Sequence, residues 1–130
     1  MSSYMKLVIA DDEPNIRDSL SQLFPWEELG IQVVFLAANG REVLDYMEMN
    51  PVDLLLADIR MPVMDGLAAT RAIRALKRPD AAGIPIVAMT ANSFKEDEEA
   101  AMSAGMNGFI PKPVNVQQLF EVLEELLATS

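Results

Sequence analysis

The chain has 130 residues, a length that suits one domain with a hydrophobic core and is too short for two. It contains no cysteine and no histidine, which excludes disulfides, thiolate or histidine metal sites, cysteine nucleophiles and a phosphohistidine carrier. The formal net charge is −10, so we do not expect direct contact with nucleic acid, because affinity for a polyanion depends on lysine and arginine.

Short apolar runs alternate with longer segments of helical periodicity along the chain. The apolar runs predict five strands, at residues 7–10, 32–37, 53–57, 86–89 and 108–110. The segments between and after them predict five helices, at residues 14–24, 41–49, 67–76, 94–104 and 116–127. Pro14 suits the first position of the first helix. Asn39, Ser93 and Asn115 suit the cap positions of the second, fourth and fifth helices.

The alternation of strands and helices predicts an α/β fold. Five repeats of this kind imply one doubly wound (βα)5 domain with a parallel five-stranded sheet and helices on both faces. The runs "LVIA", "LLLA" and "IVAM" are almost continuously apolar, as strands buried on both faces should be.

No apolar run approaches the roughly 18 residues needed to cross a membrane. The N-terminal stretch "MSSYMKLVIA" has one lysine and a short apolar run, and it reads better as a strand than as a signal peptide. We therefore expect a cytoplasmic protein without membrane contact.

Side chains that can carry chemistry follow four of the five predicted strands. In chain order they are Asp11, Asp12, Asp58, Thr90 with Ala91 after it, and Lys112 with Pro113 after it. In an open α/β sheet, ligands bind outside the carboxyl ends of the strands, where the strand order reverses. With the strand order 2-1-3-4-5 that point lies between the first and third strands, so the three aspartates would converge in one crevice.

Three carboxylates in one crevice repel each other, so either one pKa is raised or a cation lies among them. All the charged ligands are hard oxygens, which selects Mg²⁺ over zinc or copper. A cation, the Lys112 ammonium and the Thr90 hydroxyl around Asp58 would form a site for a phosphoryl group. The Asp58 carboxylate is then the natural nucleophile and would form an aspartyl-phosphate.

Four segments, "IADDEP", "DIRMPVMDG", "MTAN" and "FIPKPV", stand in this order across the chain. Together they resemble the receiver domain of bacterial two-component response regulators. The resemblance implies the flavodoxin-like strand order 2-1-3-4-5. It also implies that residues 1–130 are a single receiver domain, with a core at about 5–128 and no output domain. The function implied is a phosphorylation-controlled signalling switch whose own catalysis is limited to phosphoryl uptake and loss.

The resemblance also implies roles for the acidic residues of the crevice. Asp58 would accept the phosphoryl group from a phosphohistidine of a sensor histidine kinase or of a phosphotransfer protein. The Mg²⁺ cofactor would be bound by Asp12, Asp11, Asp58 and the backbone carbonyl of Arg60.

Further roles fall on residues after the fourth strand. Thr90 and the backbone N–H of Ala91 would bind phosphoryl oxygens, and Lys112 would pair with the phosphate. The Lys112–Pro113 peptide bond would be cis, and Phe109 would be the switch aromatic that turns inward when Thr90 moves. The face of the fourth helix, fifth strand and fifth helix would then change shape and bind a partner or a second copy of the chain.

Three other functions compete with this reading. A phosphate-independent protein-interaction module could keep the receiver fold without using the site. A phosphatase of the haloacid-dehalogenase type would place its nucleophile after the first strand and a second acid two residues later, whereas Asp58 follows the third strand and Arg60 stands two residues after it. A dinucleotide-binding domain would need a glycine-rich turn where this chain has "ADDEP".

Overall fold

The sheet has five parallel strands. The computed structural model describes residues 4–76, 83–91 and 95–128. The strands are β1 (Met5–Ala10), β2 (Ile31–Ala37), β3 (Leu54–Asp58), β4 (Ile86–Thr90) and β5 (Gly108–Pro111). Their order is β2-β1-β3-β4-β5 and every neighbouring pair is parallel, which confirms the predicted α/β architecture and the order 2-1-3-4-5.

In the described part of the chain, five α-helices connect and follow the strands. They are α1 (Pro14–Leu23), α2 (Gly40–Met49), α3 (Gly66–Arg74), α4 (Lys95–Ala104) and α5 (Val116–Ala128). The predicted first residue of α4, Phe94, lies outside the described residues. A short 3-10 helix at Trp26–Leu29 was not predicted. Among the described residues, no helix is long and apolar enough to span a bilayer.

Two of the three predicted helix caps are present, and the third, Ser93, lies outside the described residues. The side chain of Asn39 accepts a hydrogen bond from the Glu42 backbone N–H at 3.0 Å, and Asn115 accepts one from the Gln118 N–H at 3.1 Å. Each cap satisfies a backbone donor that the first helical turn leaves without a partner. The two helices therefore begin where the local sequence specifies.

The central strands β1, β3 and β4 are buried on both faces, so the core has two layers. Alternate residues point to opposite faces of a strand: Val8 packs with Val43 and Ile73, on the side of α2 and α3. Its neighbour Ile9 packs with Leu119, on the side of α5. The two layers cover the faces of the sheet, so reactive side chains are expected at the strand ends and in the loops beyond them.

Three strands continue one residue further than predicted: β5 ends at Pro111, and β3 and β4 each add a polar residue. Asp58 pairs with Met89 at the end of β3, and Thr90 pairs with Pro111 at the end of β4. We expected both polar residues just beyond the strands, because the apolar pattern stops before them. Backbone pairing does not depend on side-chain polarity, so the sheet carries both residues to its rim.

Candidate functional site

The carboxyl edge of the sheet brings four predicted site residues together. Asp11 follows β1, Asp58 ends β3, Thr90 ends β4 and Lys112 follows β5. Backbone hydrogen bonds continue the sheet past the strand ends, with Asp11 N–H donating to the Ala37 carbonyl at 3.0 Å and Lys112 N–H to the Thr90 carbonyl at 2.8 Å. These bonds direct the four side chains into one crevice.

Lys112 is the centre of the crevice. Its Nζ lies 2.6 Å from Asp11 Oδ2 and 3.0 Å from Asp58 Oδ2. All three side chains are nearly buried, with exposed fractions of 12% for Lys112, 0% for Asp11 and 9% for Asp58. One ammonium therefore lies between two nearly buried carboxylates and offsets part of the repulsion between them.

The charges in this cluster shift two pKa values. Burial raises the pKa of Asp58, and the nearby Asp11 carboxylate adds to the rise, which the hydrogen bond and charge of Lys112 only partly offset. Burial by itself would lower the pKa of Lys112, but its contacts with Asp11 and Asp58 outweigh this effect, and the pKa of Lys112 is raised. The lysine is consequently a fixed positive charge at neutral pH.

The raised pKa of Asp58 predicts that this residue costs stability. Because the unfolded chain releases the proton first, the free energy of unfolding falls as the pH rises from the ordinary value of 3.8 towards the folded value, and the loss persists above it. We expect Asp58→Asn to raise the Tm at pH 7 by a few degrees, the shift that about 1 kcal/mol produces in a domain of this size.

Calorimetry with a chelator present, at pH 7 and below pH 4, checks this expectation. The increase in Tm caused by Asp58→Asn should be smaller at the lower pH, where the Asp58 carboxyl is protonated in both the folded and the unfolded state. Asp45→Asn, at an exposed carboxylate that pairs with Arg41 on α2, is the control and should leave the Tm nearly unchanged. A lower Tm for Asp58→Asn at pH 7 would contradict the prediction.

The loop after β3 holds the second oxygen of Asp58. The backbone N–H of Arg60 donates to Asp58 Oδ1 at 3.2 Å. Gly66, the first residue of α3, donates its N–H to the Ile59 carbonyl at 3.0 Å, and Asp65 caps the helix by accepting from the Ala68 N–H at 2.8 Å. The chain thus folds back directly over Asp58, which explains the glycine in "MPVMDG".

Acidic oxygens suitable for a metal ion cluster at the start of the loop after β1. Carboxylate oxygens of Asp11, Asp12 and Glu13 lie within 4.8 Å of one another. Asp11 Oδ2 is buried, and the Lys112 ammonium lies 2.6 Å from it. The oxygens of the three acidic residues fit a hard cation such as Mg²⁺. Asp58 is not one of these three residues and is connected to Asp11 by the Lys112 ammonium.

Sequence reasoning did not single out Glu13 or Asp97. Glu13 completes the acidic cluster, and its position directly after "DD" was the available signal. Asp97, on α4, accepts a hydrogen bond from the buried Thr90 hydroxyl at 3.3 Å, and no spacing in the sequence indicates that contact. Asp97 therefore enters the site only through the tertiary structure.

The remaining predicted residues lie around this crevice. Ala91 is exposed directly after β4. The Lys112–Pro113 peptide bond is cis. Phe109, on β5, is partly buried and packs against the core layer that includes α4 residue Ala101, three residues before Lys112. Its ring is thus neither fully inside nor fully outside the domain.

A family model described as the response regulator receiver domain matches residues 7–124. The chain belongs to this family. Relatives of this receiver domain include a probable histidine kinase of rice. It is 34% identical over an aligned length of 150, which covers 93% of the chain and 15% of the kinase. An uncharacterised 14.6 kDa protein of Leptolyngbya boryana is 34% identical over 121 residues, covering 93% of the chain and 88% of that protein.

Solved receiver structures share the fold. A chemotaxis response regulator of Vibrio cholerae is 27% identical with a TM-score of 0.83, covering 95% of this chain and 99% of that one. The receiver domain of a Pseudomonas aeruginosa sensor histidine kinase is 31% identical with a TM-score of 0.82, covering 97% and 99% of the two chains. That structure has a magnesium ion coordinated in its active-site cleft.

These relatives establish the general role of the domain. Receiver domains occur in histidine kinases and in response regulators. The chain is accordingly a domain of phosphorylation-based two-component signalling and not a conventional enzyme. It spans only a small part of the kinase relatives.

Proposed function

We propose that Asp58 accepts a phosphoryl group from a phosphohistidine of a sensor kinase or phosphotransfer protein, in a step that depends on Mg²⁺. The observation that carries the proposal is the contact of one Lys112 ammonium with both Asp58 and Asp11. It places a fixed positive charge beside a nearly buried carboxylate at the rim of the sheet, where a phosphoryl group gains charge neutralisation from the protein.

The transfer exchanges one bond to phosphorus for another. A carboxylate oxygen of Asp58 forms the new O–P bond while the P–N bond to the donor imidazole breaks, and the imidazole leaves with that electron pair and keeps or gains a proton. Lys112, the Thr90 hydroxyl and the Ala91 N–H stabilise the charge on the phosphoryl oxygens. The same groups hold the product acyl phosphate in place.

The acidic cluster is the proposed Mg²⁺ site. Asp11 and Asp12 would hold the ion, with Asp58, the Arg60 backbone carbonyl and solvent completing its shell. When bound, the ion supplies positive charge to the transferring phosphoryl group. The grouping of the Asp11, Asp12 and Glu13 oxygens within 4.8 Å and the magnesium ion in the related Pseudomonas receiver support this assignment.

The proposed output is a change in the face formed by α4, β5 and α5. A phosphoryl group on Asp58 favours a conformation only if that conformation binds it better. Thr90 moving toward the phosphate, and Phe109 turning inward behind it, would supply that difference. A partner protein or a second copy of the chain would then bind the altered face, whereas the net charge of −10 argues against direct nucleic-acid binding.

Mass spectrometry after incubation with Mg²⁺ and acetyl phosphate tests the proposal. We expect one phosphoryl adduct on the wild-type chain, its absence in Asp58→Asn, and its absence when a chelator removes the metal. Asp45→Asn removes an exposed carboxylate of α2 that is not part of the proposed site. This variant should gain the phosphoryl adduct as the wild type does.

The other outcomes identify the competing functions. No adduct on either the wild type or Asp58→Asn would favour a phosphate-independent interaction module. Sustained turnover of many phosphomonoesters would favour a hydrolase with an aspartyl-phosphate intermediate. An adduct that persists in Asp58→Asn would place the acceptor elsewhere.

A further inference from the structure

One carboxylate on α4 contacts two parts of the site. Asp97 Oδ1 accepts a bond from Arg60 Nη2 at 3.1 Å, and Asp97 Oδ2 accepts one from the Thr90 hydroxyl at 3.3 Å. The Asp97 side chain is 15% exposed, whereas that of Arg60 is 69% exposed. Asp97 thereby connects the loop after β3, the end of β4 and the first turn of α4.

We infer that Asp97 is a positioning residue that holds the Thr90 hydroxyl away from the phosphoryl site and is released when Asp58 is modified. We call this pair of contacts the Asp97 latch. The inference rests on the proposed function, because it concerns the competition between Asp97 and a phosphoryl group for Thr90. A hydroxyl has a single hydrogen to donate, so while it binds Asp97 it cannot bind a phosphoryl oxygen.

The length of the Thr90 contact suits an exchangeable bond. Hydroxyl–oxygen hydrogen bonds in proteins cluster near 2.7–2.8 Å, and 3.3 Å is therefore a weak bond. A phosphoryl group on Asp58 offers charged oxygens at the same edge of the sheet, and charged acceptors form shorter and stronger bonds. Thr90 thus gains by exchanging Asp97 for the phosphoryl group.

Charge acts in the same direction as the hydrogen bond. Asp97 carries a negative charge next to Thr90, where a dianionic group would arrive, and like charges disfavour each other at such distances. Arg60 offsets part of that charge through its ion pair with Asp97. Removing the Asp97 charge weakens the acceptor that holds Thr90 and releases the Arg60 guanidinium from its ion pair.

The latch also links the site to the rest of the domain. Coupling between two interactions is reciprocal. If the Asp97–Thr90 contact weakens phosphoryl binding by some factor, a phosphoryl group on Asp58 weakens the contact between Thr90 and α4 by the same factor. The first turn of α4 then loses one of its contacts with the end of β4. This release is a route from chemistry at Asp58 to the face of α4.

Binding of beryllofluoride, a phosphoryl mimic, tests the latch by calorimetry in excess Mg²⁺. Asp97→Asn keeps the side-chain size and removes the charge, and we expect its apparent Kd to fall by about five-fold or more, the lower range of coupling between linked sites. Glu98→Gln removes the same charge from the next, exposed position of α4 and should stay within about two-fold of the wild type. Melting curves establish that each variant is folded.

A double-mutant cycle separates the latch from a general charge effect. In a Thr90→Ala background, Asp97→Asn should lose most of its effect on the Kd, because the hydroxyl whose bond to residue 97 it weakens is gone. Equal effects of Asp97→Asn with and without Thr90, no effect at all, or weaker binding would each overturn the latch. In those cases the proposed function would still stand if the wild type bound beryllofluoride and Asp58 gained a phosphoryl adduct. If no variant bound beryllofluoride, both the latch and the proposed function would be contradicted.

Discussion

Gly66→Ala is expected to lower the free energy of unfolding by about 3 kcal/mol, the upper part of the range for a forced steric overlap. A Cβ on Gly66 would overlap the Asp58 carbonyl oxygen and would lie 3.1 Å from the carbonyl carbon and 3.2 Å from Ile59 Cα. All three atoms belong to the backbone of β3 and the residue after it. They cannot rotate away as the end of a side chain could, so the loop must move off Asp58.

Urea unfolding of the variant measures this loss, with Gly83→Ala as the matched control. A Cβ on Gly83 meets no atom of the described residues within 4 Å, so the same substitution there should change the free energy of unfolding by less than about 1 kcal/mol. The Asp58 adduct should also form more slowly in Gly66→Ala, because the loop carries the Arg60 N–H that holds Asp58 Oδ1. Equal free energies of unfolding for Gly66→Ala and Gly83→Ala would contradict the prediction, because the loop could then move off Asp58 at little cost.

Lys112→Met is the second large expected effect. It removes the only charge that the described residues show in contact with both Asp11 and Asp58, and leaves two buried carboxylates together. Removing one partner of a buried ion pair lowers the free energy of unfolding by about 3 kcal/mol or more, because the other partner remains as an uncompensated buried charge. We expect a loss of this size in the free energy of unfolding at pH 7, and no detectable phosphoryl adduct.

The pH dependence of that loss identifies its cause. Without Lys112, the pKa of Asp58, which burial already raises, loses the contacts that lower it. The free energy of unfolding then falls as the pH rises from the unfolded to the folded pKa of Asp58. The destabilisation of Lys112→Met should therefore be largest at pH 7 and small below about pH 4. Urea unfolding at both pH values, in chelator, measures the difference.

Two further variants make the Lys112 result specific. Adding Asp58→Asn to Lys112→Met should recover part of the lost stability, because one of the two repelling charges is gone. Lys95→Met changes an exposed lysine of α4 whose ion pair with Glu99 is long, at 4.0 Å, and should have little effect. A loss for Lys112→Met that is the same at pH 4 and pH 7 would point to lost packing instead of unpaired charge.

Much of the fold follows from short stretches of sequence. Asn39 and Asn115 cap the helices that their spacing predicts, and the almost continuous apolar runs are the strands buried on both faces. The strand ends were less accurate: the apolar pattern stops before Asp58 and Thr90, although both pair within the sheet. The 3-10 helix at Trp26–Leu29 was missed because Pro25 predicts only where α1 ends.

The sequence by itself determined the elements and the chemical types available at the sheet edge, because caps, periodicity and apolar runs act over a few neighbouring residues. Only the tertiary structure decided that Lys112 neutralises Asp11 and Asp58 together, and that Asp97 contacts Thr90 and Arg60. Lys112 and Asp58 are 54 residues apart, and Arg60 and Asp97 are 37 apart. Contacts over such separations depend on strand register and on the rotation of α4 against the sheet, which no local pattern specifies.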